Sequence, residues 1–135
     1  MKSIPTVQKY MTLQPHTIGY DQTIEKAKEM MAEYHIRHLP VLKAGKLVGI
    51  LSERDVNFVL TLKGTDPQKT RVDEIYVDLP YSTHPEAKLD EVAAHMAEKK
   101  YGSALVLSND KLVGIFTEVD AMLALADLLH TRLRS

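Results

Sequence analysis

Hydrophobic positions along this chain follow two periodicities that alternate in the same order twice. Ile24, Ala27, Met30, Met31 and Tyr34 recur at the three-to-four-residue spacing of a one-sided helical stripe. Two short apolar runs follow, Leu39–Leu42 and Leu47–Leu51, and Lys43-Ala44-Gly45 between them predicts a tight hairpin. A second helix is expected after Ser52, closing near Lys63-Gly64, where glycine suits a C-cap, before Asp66-Pro67 opens a linker. The later half repeats this order. Leu89, Val92, Ala93, Met96 and Ala97 form the stripe, and Ala104–Leu107 and Leu112–Phe116 flank a turn at Ser108-Asn109-Asp110. A final helix after Thr117 runs on through Leu128, Leu129 and Leu133. Short extended segments, His16-Thr17-Ile18 and Tyr81-Ser82-Thr83, precede each half just after Pro15 and Pro80.

The two halves are copies of one another. Displaced by 65 residues, the chain matches itself without a gap from Val7/Val72 to about Leu60/Leu125. Lys46-Leu47-Val48-Gly49-Ile50 and Lys111-Leu112-Val113-Gly114-Ile115 are identical, and Glu53 and Asp55 pair with Glu118 and Asp120. The repeated unit reads β-α-β-β-α. The fold class is therefore mixed α/β (α+β), with one repeat over residues 1–66 and the other over residues 67–135, together forming one compact module.

Composition narrows the chemistry. The 135 residues include no cysteine, which removes disulfides, thiolate nucleophiles and cysteine-zinc sites. A formal charge of −1 with both signs interspersed offers no field to gather nucleic acid or an acidic membrane, so neither is expected as a partner. The longest wholly apolar run, Ala121 to Ala126, is far below the roughly 20 residues of a membrane span. Met1-Lys2-Ser3-Ile4-Pro5 lacks the apolar stretch of a signal peptide, and a cytoplasmic location is expected.

Ser52-Glu53-Arg54-Asp55 and Thr117-Glu118-Val119-Asp120 are the most informative local features, each where a buried strand turns into a helix. Such a spacing is that of a capping box, which satisfies free amides at a helix start. The same place is also a seat for phosphate, since helix N-termini present N–H groups and partial positive charge. A carboxylate one turn in can accept the two hydroxyls of a ribose. The readings are compatible.

Together with Ile36-Arg37-His38-Leu39-Pro40-Val41, Gly45-Lys46-Leu47-Val48-Gly49-Ile50-Leu51 and their copy Tyr101-Gly102-Ser103-Ala104-Leu105-Val106, these motifs make the chain resemble a pair of CBS (cystathionine beta-synthase-type) domains from about Val7 to about Leu125. The resemblance implies two repeats packed sheet to sheet with pseudo-twofold symmetry and two clefts, each drawing on both repeats. One ligand set would comprise Thr17, Ile36, Arg37 and His38 with Ile115, Thr117 and Asp120; the other Ser82, Tyr101, Gly102 and Ser103 with Ile50, Ser52, Arg54 and Asp55. The hydrophobic members would hold adenine, the aspartate the ribose, and the hydroxyl would reach toward phosphate.

The ligand so implied is an adenosine-containing molecule, AMP, ADP, ATP or S-adenosylmethionine, acting as a regulator with no cofactor required. A partner protein on another chain is expected, and a homodimer through the helices bearing Val56, Val59, Leu60, Ala124, Leu128 and Leu129. The alternative is a ligand-free interaction module, favoured by the bulk of Arg37 and His38. His35 and His38 lack further ligands at metal spacing, no nucleophile elbow or phosphate-binding glycine loop occurs, and neither a catalytic role nor a metal site is expected.

Overall fold

The computed structural model describes residues 3–78 and 80–132. Its contacts divide into two compact units, His16–Pro80 and Met1–Pro15 with Tyr81–Ser135. Each holds a four-stranded mixed sheet and two helices.

In the unit His16–Pro80, β2 (Ile18–Gly19) runs parallel to β3 (His38–Lys43), which pairs antiparallel with β4 (Lys46–Ser52). The helix α1 (Ile24–Tyr34) starts at Thr23, whose Oγ1 accepts the Lys26 amide at 3.2 Å. Of its expected stripe, Ile24, Ala27 and Met31 are buried, Met30 is half-buried and Tyr34 is exposed; Ile18, Ala27, Met31, Leu39, Val41, Leu51, Val56 and Val72 form one core. The helix α2 (Glu53–Leu60) ends earlier than expected. Thr61 closes it, its hydroxyl donating to the Phe58 carbonyl at 2.6 Å, and Gly64 takes its left-handed conformation (φ +86°) in the following turn rather than at the cap.

The other unit repeats the plan. There β6 (Ser82–Thr83) is parallel to β7 (Ser103–Ser108), and β7 is antiparallel to β8 (Lys111–Thr117). The helices α3 (Leu89–Lys99) and α4 (Glu118–Arg132) cover a core of Val7, Leu89, Val92, Met96, Ala104, Val106, Phe116 and Ala124. Leu133, expected to continue α4, lies outside the described residues.

Both hairpins turn through two residues of positive φ, Ala44 and Gly45 in one, Asn109 and Asp110 in the other, matching the right-handed strand twist. Both carry a register shift at the same place, Val41/Leu42 and Val106/Leu107. His35 and Lys100 occupy the left-handed position after α1 and α3.

One element was not contained in the β-α-β-β-α reading. A 3-10 turn at Val7–Lys9 leads into β1 (Thr12–Leu13), which pairs with β8; a matching turn at Val72–Glu74 leads into β5 (Val77–Asp78), which pairs with β4. Each unit is thus closed by an edge strand that the self-match from Val7/Val72 already included. Tyr10 anchors the first of these segments, its hydroxyl donating to Asp127 at 2.5 Å, a bond that holds the phenol above its ordinary pKa. No described helix is long and apolar enough to cross a membrane.

Candidate functional site

The two Ser/Thr-x-x-Asp motifs sit at the last residue of β4 and β8 and in the first turn of α2 and α4. The reason is local: an apolar strand buries up to Leu51 or Phe116, and the next residue is a hydroxyl able to cap a helix. Ser52 Oγ accepts the Asp55 amide at 3.1 Å, and Thr117 Oγ1 accepts the Asp120 amide at 3.3 Å. The hydroxyl half of the capping box is therefore formed in both copies.

The carboxylates differ. Asp120 Oδ2 accepts the Thr117 amide at 2.9 Å and the Thr117 hydroxyl at 3.2 Å, completing the reciprocal box. It also receives the Thr12 hydroxyl, at 3.2 Å from Oδ1 and 3.3 Å from Oδ2. The carboxylate of Asp55 accepts no hydrogen bond from any described residue. Sequence reasoning missed Thr12, and its only signal was the position of Thr12 within the self-match at a displacement of 65 residues, where the other copy has Val77.

Each unit gathers its own candidates at the strand–helix junction. The Arg37 carbonyl accepts the Glu53 amide at 2.8 Å, and His38 lies opposite Ser52 in the β3–β4 register. Arg37 and Arg54 are both exposed beside that junction, and neither is in an ion pair among the described residues. In the other unit the Gly102 carbonyl accepts the Glu118 amide at 3.2 Å, and Ser103 lies opposite Thr117.

The remaining candidates are more dispersed. Ile36 is half-buried and packs onto the core of its own unit, and Ile115 is buried opposite Thr12. Ile50 is half-buried opposite Val77 on β5. Thr17 is half-buried just before β2, while Ser82 is exposed at the start of β6. Tyr101 is 42% exposed, and its ring lies 5.5 Å from Tyr81 at 27°, with His95 tilted against both. Burial raises the pKa of Tyr81. The histidines serve packing in part: His16 stacks on Tyr34 with centroids 3.6 Å apart.

The surface expected for association needs correction. Val56 and Ala124 face their own cores, and Leu128 packs against one of them, because helical periodicity turns these positions inward. Leu129 is exposed as expected, and with it the apolar residues left exposed are Phe58 and Leu62 around α2, and Val119, Met122, Leu123 and Leu125 on α4.

The CBS domain family matches residues 7–61 and 72–127. The chain belongs to the CBS domain family. It is 31% identical over 110 residues to the CBS domain-containing protein YhcV of Bacillus subtilis, covering 82% of this chain and 78% of that one. A solved Vibrio cholerae structure assigned to acetoin utilization (AcuB) superposes with a TM-score of 0.86 at 33% identity, over 98% of both chains. The CBS domain pair of protein MJ0100, solved in complex with 5-methylthioadenosine and S-adenosyl-L-methionine, superposes with a TM-score of 0.84 at 25% identity, over 93% of this chain and 98% of that one. The two repeats read from the self-match are thus two CBS domains.

Proposed function

We propose that this CBS pair is a regulatory module that binds an adenosine-containing ligand and passes its presence to a partner protein. The observation that carries the reading is the duplicated strand–helix junction, where a capping hydroxyl, the first helical amides and an aspartate converge at Ser52–Asp55 and Thr117–Asp120. Those groups suit a ribose and a phosphate. MJ0100, which holds two adenosine derivatives, supports the same class of ligand. The residues proposed to hold it are the two sets named from the resemblance, with Asp55 and Asp120 on the ribose and Ser52 and Thr117 toward phosphate.

Regulation of this kind requires only that ligand favour one of two states, with a coupling of about 1–3 kcal/mol. No catalysis is assigned to the module, and its place of action is taken to be the cytoplasm. The exposed apolar residues of α4 fit the surface of a homodimer. Light scattering should then give about twice the 15.2 kDa chain mass, and Leu123→Glu should return the protein to a single chain. A monomer at micromolar concentration would sink the dimer.

Calorimetric titration of nucleotide-stripped protein with AMP, ADP, ATP and S-adenosylmethionine tests the ligand. The expected result is micromolar binding of at least one, weakened by Asp55→Ala or Asp120→Ala. Folded, empty protein that binds none of them would instead support the ligand-free interaction module.

A further inference from the structure

The two strand–helix junctions are alike in sequence and unlike in bonding. Asp120 is engaged without any ligand, by the Thr117 amide and hydroxyl and by the Thr12 hydroxyl shared between its two oxygens. Thr12 opens β1 and lies opposite Ile115 on β8, so the Thr12–Asp120 contact ties the edge strand to the start of α4. The equivalent residue on β5 is Val77, opposite Ile50, and a valine has no proton to donate. Asp55 therefore keeps both oxygens open to any donor outside the described residues.

We infer that nucleotide binding by this chain is one-sided: Asp55 takes the ribose diol and Asp120 is withheld by Thr12. A carboxylate has about four lone-pair positions, and a cis-diol that chelates it uses both oxygens. At Asp120 those positions are already shared among three donors, so a diol must displace Thr12 from the strand it secures. At Asp55 it displaces only water.

A second observation names the ligand's charge. The Asp55 junction is flanked by the exposed Arg54 and by the exposed Arg37, which the resemblance grouped with Asp120 but whose carbonyl accepts the Glu53 amide at the start of α2; neither forms an ion pair with any described residue. The corresponding positions at the Asp120 junction are Gly102 and Val119, which carry no charge. Two guanidiniums beside the start of α2 suit a phosphorylated adenosine, whose oxygens each can pair with. An uncharged adenosine would gain nothing from them. The inference rests on the adenosine reading and adds which aspartate works and that the ligand carries phosphate.

Calorimetry with AMP and with adenosine, on the stripped full chain, separates the outcomes. The parent should bind AMP at one site, more tightly than adenosine by about tenfold or more, the ratio expected when one well-made charged contact is gained. Asp55→Asn should weaken both ligands. Val77→Thr, which offers Asp55 the hydroxyl that Asp120 already has, should weaken both without altering the fold, since Val77 is 51% exposed. Thr12→Val should open a second site. The double variant Arg37→Gln/Arg54→Gln should lower AMP affinity to that of adenosine. Two equal sites in the parent, or a Thr12→Val protein with unchanged stoichiometry, overturns the one-sidedness. AMP binding no tighter than adenosine overturns the phosphate assignment. If neither probe binds folded parent, the adenosine reading itself fails and takes this inference with it.

Discussion

Gly49 and Gly114 occupy the same place in the two repeats, yet a methyl group would meet different neighbours there. At Gly49 an added Cβ would fall 2.5 Å from the Val77 carbonyl oxygen and against the Tyr76 ring; at Gly114 its three nearest atoms would all belong to the Met11 side chain, with the sulfur at 2.6 Å. A backbone carbonyl in a paired strand cannot yield without breaking the β4–β5 ladder, whereas an unbranched thioether can rotate away. Gly49→Ala should therefore destabilise by about 2–3 kcal/mol and Gly114→Ala by about 1 kcal/mol, as overpacking typically does. Urea unfolding measures both, and equal losses would contradict the reasoning. The same residue scale marks the limit of what the sequence discloses about the site. Ser52, Asp55, Thr117 and Asp120 were legible as helix-start residues because capping calls for a hydroxyl and an acid at that spacing. Thr12 was not, because its importance comes from lying opposite Ile115 across two strands that are remote in sequence.

At the level of elements, the helices and hairpins follow from periodicity because each buries apolar positions at its own spacing, although Tyr34 and Ala97, at the ends of the expected stripes of α1 and α3, are exposed. Ile24, Ala27 and Met31 of α1, and Leu89, Val92 and Met96 of α3, are buried as their spacing requires. Strands β1 and β5 have only two residues each, too few to display alternation, so nothing local distinguishes them from loop. The end of α2 was misplaced for a related reason: Gly64 reads as a cap, but the Thr61 and Thr65 hydroxyls, bonded to the Phe58 and Val59 carbonyls, close the helix first. The hairpin turns offer a direct comparison of element chemistry. Asn109-Asp110 and Ala44-Gly45 hold the same positive-φ pair, but Ala44 sits at φ 51° with a Cβ and no side-chain hydrogen bond to compensate. Asparagine tolerates that conformation far better than alanine. Ala44→Asn is expected to stabilise by about 0.5–1 kcal/mol, within the range of turn substitutions that fit their φ. A fall in the thermal midpoint would count against a two-residue turn of this type.

At the scale of the whole chain, sequence order and packing order differ in an informative way. Val72 is fully buried in the core with Ile18, Leu39 and Val56, and Val7 is fully buried in the core with Leu89 and Phe116. The segment that leads into each repeat therefore completes the core and sheet edge of the unit holding the other. A cut at residue 66, where the duplicated sequence suggests one, leaves the first fragment without Val72, Tyr76 and β5, and with residues 1–15 bearing an unmatched Val7. A cut after Pro15 and after Pro80 leaves residues 16–80 with a complete four-stranded sheet and its full core. Burying one valine contributes about 1.5–3 kcal/mol, a large share of the stability of a domain of this size. The fragment 16–80 should accordingly unfold cooperatively in urea with dispersed amide resonances, while the fragment 1–66, of nearly equal length, should show a broad transition and collapsed dispersion. If the two fragments behave alike, the leading segments contribute little to either core. If only 16–80 folds, the segment Val72–Asp78 is what completes that unit, as the segment Val7–Leu13 completes the other, and Thr12 on β1 holds the position from which it can occupy Asp120.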